Sequence, residues 1–409
     1  MEYTEKTPKV RFPEFQERWF IERVEKVVDR ISIPVEVNKT ELYTQIGIRS
    51  HGKGIFHKEP VSGESLGNKR VYWIVEDALI LNIVFAWEQA VAKTSKEENG
   101  MIASHRFPMY KAKEQKLNID YLLLLFLTVR GKKLLSLASP GGAGRNKTLG
   151  QKEFEKLKIF LPPFPEQNKI SYCLTTLSNN IQSLEQKKKL LERYKEGIMQ
   201  KIFNLEIRFK SELHIDYPDW KSQKLKEVFR ERKVRNKNSE FNEVFSVTKS
   251  KGIVNQIEHL GRSYASSDIT NYKTVFPGDV VYTKSPTSNF PFGIIKQNKT
   301  DRTGVVSVLY GVFIPSNIYV GELIDSYFSS WKKTYNYLNP IVHKGAKNTM
   351  NIGNDDFLNG KEIFLPSSID EMIKINNFFK ALDKKIAQVD VQLLKNQQLK
   401  KGFLQKMFI

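Results

Sequence analysis

Apolar side chains recur at steps of four, three and seven along two stretches of this chain. In the first they fall at Ile170, Leu174, Leu177, Ile181 and Leu184, then at Leu191, Ile198, Ile202 and Leu205. In the second they fall at Ile375, Phe379, Leu382, Ile386, Val389 and Leu393, then at Phe403 and Met407. A stripe this narrow, held for about five heptads, predicts two long helices that pack on each other as a coiled coil. At 1.5 Å per residue, residues 167–205 would reach about 57 Å, enough to act as a ruler between two domains. The seams lapse at Lys188 and Lys195 and again at Asn396 and Lys400, and polar seam positions of this kind set register. Cys173 lies on the apolar face of the first stripe and reads as a core residue.

Ahead of each stripe the pattern changes. Residues 71–75 and 78–84 are rich in β-branched and aromatic side chains and predict strands around a turn at Glu76-Asp77. Residues 274–276 and 280–283 repeat them around Pro277-Gly278-Asp279. Asn118 can cap a helix over 120–133, and residues 317–337 offer a second helical stretch. Strands and helices are mixed in each region, so the fold class is α+β.

These paired features belong to a chain written twice. The string Tyr194-Lys195-Glu196-Gly197-Ile198-Met199-Gln200-Lys201-Ile202-Phe203 returns 205 residues later as Leu399-Lys400-Lys401-Gly402-Phe403-Leu404-Gln405-Lys406-Met407-Phe408. Ile159-Phe160-Leu161-Pro162 returns as Ile363-Phe364-Leu365-Pro366, and residues 142–154 as 345–357. Arg11-Phe12 and Trp19 are answered by Arg208-Phe209 and Trp220. A repeat of this length is too long for a solenoid unit and predicts two domains. The division is 1–160 for the first globular domain, 161–206 for its long helix, 207–365 for the second domain and 366–409 for the second helix. Between the shared landmarks the halves have diverged, so one scaffold presents two unlike surfaces.

Charge narrows what those surfaces meet. The 409 residues carry 65 Lys+Arg against 45 Asp+Glu, a formal net charge of +20. So large an excess attracts a polyanion, and nucleic acid is the first candidate. The apolar run 121–129 is far short of the roughly 18 residues of a spanning helix, and no signal peptide follows Met1-Glu2-Tyr3, which argues against a membrane partner. One cysteine excludes an internal disulfide and a thiolate metal cluster, and suits a reducing cytoplasm.

Several strings imitate catalytic motifs and each is broken. Leu161-Pro162-Pro163-Phe164 resembles an adenine methyltransferase box, but leucine cannot accept a hydrogen bond from a target amino group. Gly141-Gly142-Ala143-Gly144-Arg145-Asn146-Lys147-Thr148 resembles a phosphate-binding loop with Asn146 where the last glycine belongs, and its repeat at 345–350 lacks the Lys-Thr pair. Asp219 with Glu231 and Lys233 fits a loose Mg-nuclease pattern. The histidines His51, His57, His105, His214, His259 and His343 have no metal-type spacing. No residue is assigned a catalytic or metal-binding role.

Basic loops supply the binding candidates, since long donors suit phosphates and guanine edges. In the first half these are Arg49, His51, Lys53, Lys69, Arg70, Arg106, Lys111, Arg145, Asn146 and Lys147. In the second they are Lys249, Lys251, Arg262, Tyr264, Lys284, Asn289, Lys347 and Asn348.

Arg11-Phe12-Pro13-Glu14-Phe15 before Trp19, Leu161-Pro162-Pro163 before Glu166-Gln167, and their echoes in the second half together resemble a type I restriction-modification specificity subunit. At the second helix, residues 367–372 replace the Pro-Pro and Glu-Gln of the first. The resemblance implies two target-recognition domains in pseudo-two-fold tandem repeat, separated by two long antiparallel coiled-coil-like helices. It implies no activity in the chain itself: each domain reads one half of a split double-stranded DNA site, and the helices set the gap. Two methyltransferase subunits, using S-adenosylmethionine, would methylate an adenine in each half, and restriction subunits would add ATP- and Mg-dependent cleavage. No cofactor is expected in this chain. Two other readings of the residues stay open: an autonomous Mg-dependent nuclease using Asp219, Glu231 and Lys233, and a regulatory coiled-coil DNA-binding protein with no methyltransferase partner.

Overall fold

A computed structural model of the chain describes residues 2–3, 6–140, 147–287, 289–344 and 350–409. They form two compact units, Met1–Gln186 with Val391–Ile409, and Lys187–Asp390. Among the described residues no helix is long and apolar enough to cross a membrane.

The centre of the first unit is a four-stranded sheet of β1 (Val28–Ile31), β2 (Leu79–Leu81), β3 (Val91–Lys93) and β4 (Met109–Ala112), in the order β3-β2-β4-β1. Neighbours are antiparallel, with Val91 opposite Leu81, Met109 opposite Ile80 and Tyr110 opposite Arg30. Leu79, Ile80 and Leu81 are all buried, as expected of a strand covered on both faces. The strand Val71–Trp73 pairs with Ile102–Ser104 and not with β2, so the two strands predicted around Glu76-Asp77 are not a hairpin.

The helix predicted over 120–133 is two helices, α1 (Ile119–Leu127) and α2 (Val129–Leu137). Asn118 caps the first by accepting from the Tyr121 amide at 3.0 Å. Thr128 breaks the run, because its hydroxyl donates to the Leu125 carbonyl at 2.7 Å and accepts from the Gly131 amide at 2.9 Å. A side-chain oxygen that satisfies the first amides of a new helix competes with continuation of the old one. Gly131 is required there, since a Cβ would lie 2.1 Å from the Leu125 carbonyl oxygen.

A single long helix follows, α3 (Phe164–Phe203). Its start is clamped: Glu166 is fully buried and accepts from Arg11 Nε and Nη2, both at 2.7 Å, and from Trp19 Nε1 at 3.2 Å. The charge is tolerated in the interior because all its partners are donors in good geometry.

The second unit repeats this topology. Its four-stranded sheet is β5 (Phe229–Glu231), β6 (Val280–Thr283), β7 (Ile294–Gln297) and β8 (Gly311–Pro315), in the order β5-β8-β6-β7. Counted from the other edge this is the order of the first sheet. The stretch 317–337 is again two helices, α4 (Ile318–Ser329) and α5 (Trp331–Leu338), broken at Ser330 as the first pair is broken at Thr128. The second long helix is α6 (Ile369–Lys406). Arg208 donates to Glu371 from Nε at 3.2 Å and Nη2 at 2.9 Å. Glu371 therefore stands where Glu166 does, and the second helix keeps the glutamate that its altered sequence had hidden. The tryptophan differs: Trp220 Nε1 has no hydrogen-bond partner, where Trp19 Nε1 donates to Glu166.

The predicted seam divides between two jobs. Ile170 and Leu174 belong to the core of the first unit, and Ile375, Phe379 and Leu382 to that of the second. Leu177 and Val389 are also buried, while Ile181, Leu184, Leu191, Ile386 and Leu393 are half-buried. The early seam thus packs on globular cores, where each side chain gains roughly 2 kcal/mol from burial, and helix pairing falls to the later positions. In the second unit, Lys188 meets Asp390 at 2.6 Å and Lys195 meets Asp383 at 2.5 Å. Seven residues forward on α3 correspond to seven back on α6, so these segments run antiparallel. Each helix tail fills a core: Met199, Ile202 and Phe203 in the second unit, and Met407 and Phe408 in the first. Cys173, predicted to be a core residue, is only half-buried.

Candidate nucleic-acid interface

In the first unit, residues 49–54 form the loop of a hairpin between the strands Ile46–Ile48 and Ile55–His57. His51 and Gly52 both take positive φ, 61° and 65°. Their amides donate to the carbonyls of Glu88 at 2.7 Å and Gln89 at 3.0 Å, and Ser50 donates to the Glu88 carboxylate at 3.2 Å. The loop is thus fastened to the turn Ala86–Glu88. The Arg49 guanidinium lies 4.7 Å from the Phe56 ring centre and donates to the Ile55 carbonyl, which fixes its stem, while His51 and Lys53 are exposed.

The same turn gathers other candidates. Lys147 stands 5.8 Å from the Trp87 ring centre. The Ile83 amide donates to the Arg106 carbonyl at 3.0 Å and the Ile83 carbonyl accepts from Leu149 at 2.8 Å; one residue before Arg106, the His105 amide donates to the Arg70 carbonyl at 3.3 Å. Backbone bonds therefore tie the segments bearing Arg49, His51, Lys53, Lys69, Arg70, Arg106 and Lys147 into one rim. Lys111 is not part of it. It lies on β4 opposite Asp29 of β1, whereas Arg106 sits in the turn that precedes β4. Arg145, Asn146, Lys347 and Asn348 lie outside the described residues.

In the second unit, Lys249 and Lys251 stand at the tip of the hairpin formed by Phe245–Thr248 and Gly252–Asn255. Lys249 lies 5.2 Å from the ring centre of Phe290, next to Asn289, so these two candidates come together. Arg262 and Tyr264 form a separate exposed stack, 4.5 Å from guanidinium to ring centre, beyond the short helix Gln256–Leu260. The Tyr264 amide donates to Gln256 Oε1 at 2.6 Å. Lys284 is half-buried, and its ammonium is held below the usual lysine range by burial and by the neighbouring Lys273, with Glu231 and Asp356 acting the other way. It faces inward and takes no part in the exposed set.

The rings of Phe56, Trp87 and Phe290, which position three of the cations, are absent from the sequence candidates. An aromatic residue beside a turn is the only sequence signal they give. The nuclease-like residues are occupied elsewhere. Asp219 meets Arg208 at 3.3 Å, and Glu231 accepts from Asn354 and lies 3.8 Å from Lys273. Among the described residues no group of three or more histidine, cysteine or acidic side chains could hold a metal ion. His57 instead contacts Glu98 at 2.9 Å, and His343 contacts Asp356 at 3.1 Å.

Residues 78–193 match the type I restriction modification DNA specificity domain. That span holds the turn at 86–88, Arg106, Lys147 and most of α3. The type I restriction enzyme MjaVIII specificity subunit of Methanocaldococcus jannaschii is 34% identical over 120 residues, 28% of this chain and 28% of that protein. The matched stretch thus spans little more than a quarter of that relative. The crystal structure of a type I restriction-modification S subunit from M. genitalium superposes with a TM-score of 0.58 at 10% identity, over 99% of both chains. The crystal structure of an HsdS subunit from Thermoanaerobacter tengcongensis gives a TM-score of 0.47 at 17% identity, over 95% of this chain and 96% of that one. The M. genitalium structure shares its fold with both units and both long helices of this chain. The chain thus matches the type I restriction modification DNA specificity domain over residues 78–193 and shares, over its length, the fold of a type I restriction-modification S subunit.

Proposed function

We infer that this chain is a noncatalytic DNA-recognition subunit that directs partner enzymes to a split, asymmetric double-stranded site. The observation that carries this reading is the duplication of one scaffold with unlike basic surfaces, falling partly within the specificity-domain match at 78–193. The first unit offers a rim of Arg49, His51, Lys53, Lys69, Arg70, Arg106 and Lys147. The second offers a lysine-tipped hairpin and an Arg262–Tyr264 stack. Unlike readers on one scaffold suit unlike half-sites. Exposed cations on short, hydrogen-bonded loops suit phosphates and base edges, the first for register and the second for sequence.

In this reading residues 1–160 and 207–365 are the readers. Residues 161–206 and 366–409 are the helical spacer that sets the unspecified gap, and they carry two methyltransferase subunits. S-adenosylmethionine, ATP and Mg belong to the methyltransferase and restriction partners. An adenine must leave the base stack to be methylated, so the subunit holds deformed DNA.

Single-molecule sequencing of adenine methylation, in cells with the gene intact and deleted, tests this reading. Loss of one split motif methylated in both halves is the expected result, and it reveals the target. An unchanged methylome in cells that express the chain with its methyltransferase would overturn it.

A further inference from the structure

One short turn is built in the same way in both units and carries opposite chemistry. In the first unit it is Ser104-His105-Arg106-Phe107: the Phe107 amide donates to the Ser104 carbonyl at 3.0 Å and the Arg106 amide to Ser104 Oγ at 3.4 Å. In the second it is Ser307-Val308-Leu309-Tyr310: the Tyr310 amide donates to the Ser307 carbonyl at 3.0 Å and the Leu309 amide to Ser307 Oγ at 3.4 Å. The strands on either side keep the same offset of 203 residues (309 − 106). Ile102 bridges Gln45 as Val305 bridges Val244, and Met109 pairs with Ile80 as Val312 pairs with Val281. His105 and Arg106 therefore stand where Val308 and Leu309 do. Both pairs are exposed, Val308 to 43% and Leu309 to 68%.

The turn opens at the same end of each unit as the basic hairpin. The bridges of Gln45 to Ile102 and of Val244 to Val305 are parallel, so the hairpin strands that follow Gln45 and Val244 run toward the turn. The hairpin tips carry Arg49, His51 and Lys53 in the first unit and Lys249 and Lys251 in the second. In the second unit β6 is antiparallel to β8, with Tyr282 opposite Gly311, so the loop after β6, with Asn289 and Phe290, emerges at that end as well. The first unit thus adds a guanidinium to a cationic end, and the second sets two aliphatic side chains in water beside lysines. Two side chains are far too small a patch to hold a protein partner.

We propose that this turn is a base-reading position, and that Val308 and Leu309 take the C5-methyl group of a thymine in the half-site of the second unit. This rests on the DNA-recognition reading given under Proposed function. The thymine methyl is the apolar group that base edges present in the major groove, and it covers the two aliphatic side chains while Lys249 and Lys251 meet the flanking phosphates. In the first unit Arg106, on the same turn, has the donors that suit O6 and N7 of guanine. Exchange of a guanidinium for aliphatic groups changes which base fits, and the backbone of the turn stays as it is.

Deoxyuridine differs from thymidine only by the missing methyl, so the test is binding of the full-length chain, with its methyltransferase, to duplexes of the methylated motif in which deoxyuridine replaces one thymidine at a time. The half-site of the second unit is the half that changes when residues 220–358 are exchanged. One replacement there should weaken binding about fourfold, the factor expected for one buried methyl group. Val308→Ser with Leu309→Ser should bind the unmodified duplex at least about fourfold more weakly and be indifferent to that replacement, with its response to changes in the other half-site equal to that of the parent. The deoxyuridine series on the parent chain needs no variant, which keeps the test decisive if the double variant folds poorly. A second half-site with no thymine on either strand, a parent indifferent to every deoxyuridine in it, or equal sensitivity in the serine variant would overturn the proposal alone. A parent chain that binds no motif duplex in the presence of its methyltransferase would overturn it together with the DNA-recognition reading.

Discussion

Asp325 shows how one residue separates the two copies. Eight residues after the capping asparagine, α1 carries Phe126, fully buried, while α4 carries Asp325, also buried. The aspartate accepts from Lys296 at 2.9 Å and meets Lys299 at 2.6 Å. Burial acts to raise its pKa, but the two ammonium groups outweigh it and hold the carboxyl below the usual carboxylate range. A lowered folded-state pKa gives stability that is present above the unfolded value, about 4, and is lost as pH falls through the folded one. Asp325→Asn should therefore destabilise the second unit at neutral pH by roughly 2 to 3 kcal/mol, at the low end for a broken buried pair because Lys299 is half exposed. Urea unfolding at pH 7 and near pH 3 checks this: the difference between variant and parent should shrink in acid, and a constant difference would refute the linkage. In the sequence this aspartate is one acid in a helical stretch. Its partners lie on a strand and a loop some thirty residues away, which no local pattern reports.

At the scale of elements, the long helices were predicted from their heptad stripe, and both formed. Their packing was not legible. A heptad stripe states which face is apolar, but a globular core and a partner helix offer that face the same free energy of burial. The tail of α6 makes the point. Phe408 stacks on Tyr121 with ring centres 5.3 Å apart, and the Val10 amide donates to the Lys406 carbonyl at 3.0 Å. Phe408→Ala, one residue from the end of the given chain, should cost the first unit about 3 kcal/mol. Hydrogen exchange should show lost protection in residues 119–127 and unchanged protection in residues 318–329. Equal loss in both stretches, or none, would mean that the tail does not hold that core. The breaks at Thr128 and Ser330 were missed for a related reason: a hydroxyl inside an apolar run is compatible with an unbroken helix until the second helix has a core to turn toward.

At the scale of the whole molecule, the duplicated scaffold makes the proposed recognition modular. Exchange of residues 220–358 for the same stretch of a relative should change one half of the methylated motif and leave the other half intact. Methylation sequencing after the exchange reads this directly, and a change in both halves would sink the modular reading. The candidate site was legible only in part. Basic loops were visible as strings, and seven of the first-half candidates do meet in one rim. Lys111 and Lys284 were drawn into the same list by charge alone, and the fold sends one along a strand and turns the other inward.

What the sequence determined by itself was what short-range chemistry and self-comparison can carry: the two long helices, the duplication, the capping at Asn118, the cationic surplus and the broken state of each catalytic string. Tertiary structure alone decided which groups meet. Glu371 was recognised as the counterpart of Glu166 only through Arg208, because the surrounding Pro-Pro and Glu-Gln had changed while the buried charge still needed its partner. Pairing across a hundred or more residues depends on backbone geometry and burial, and those exist only in the folded chain.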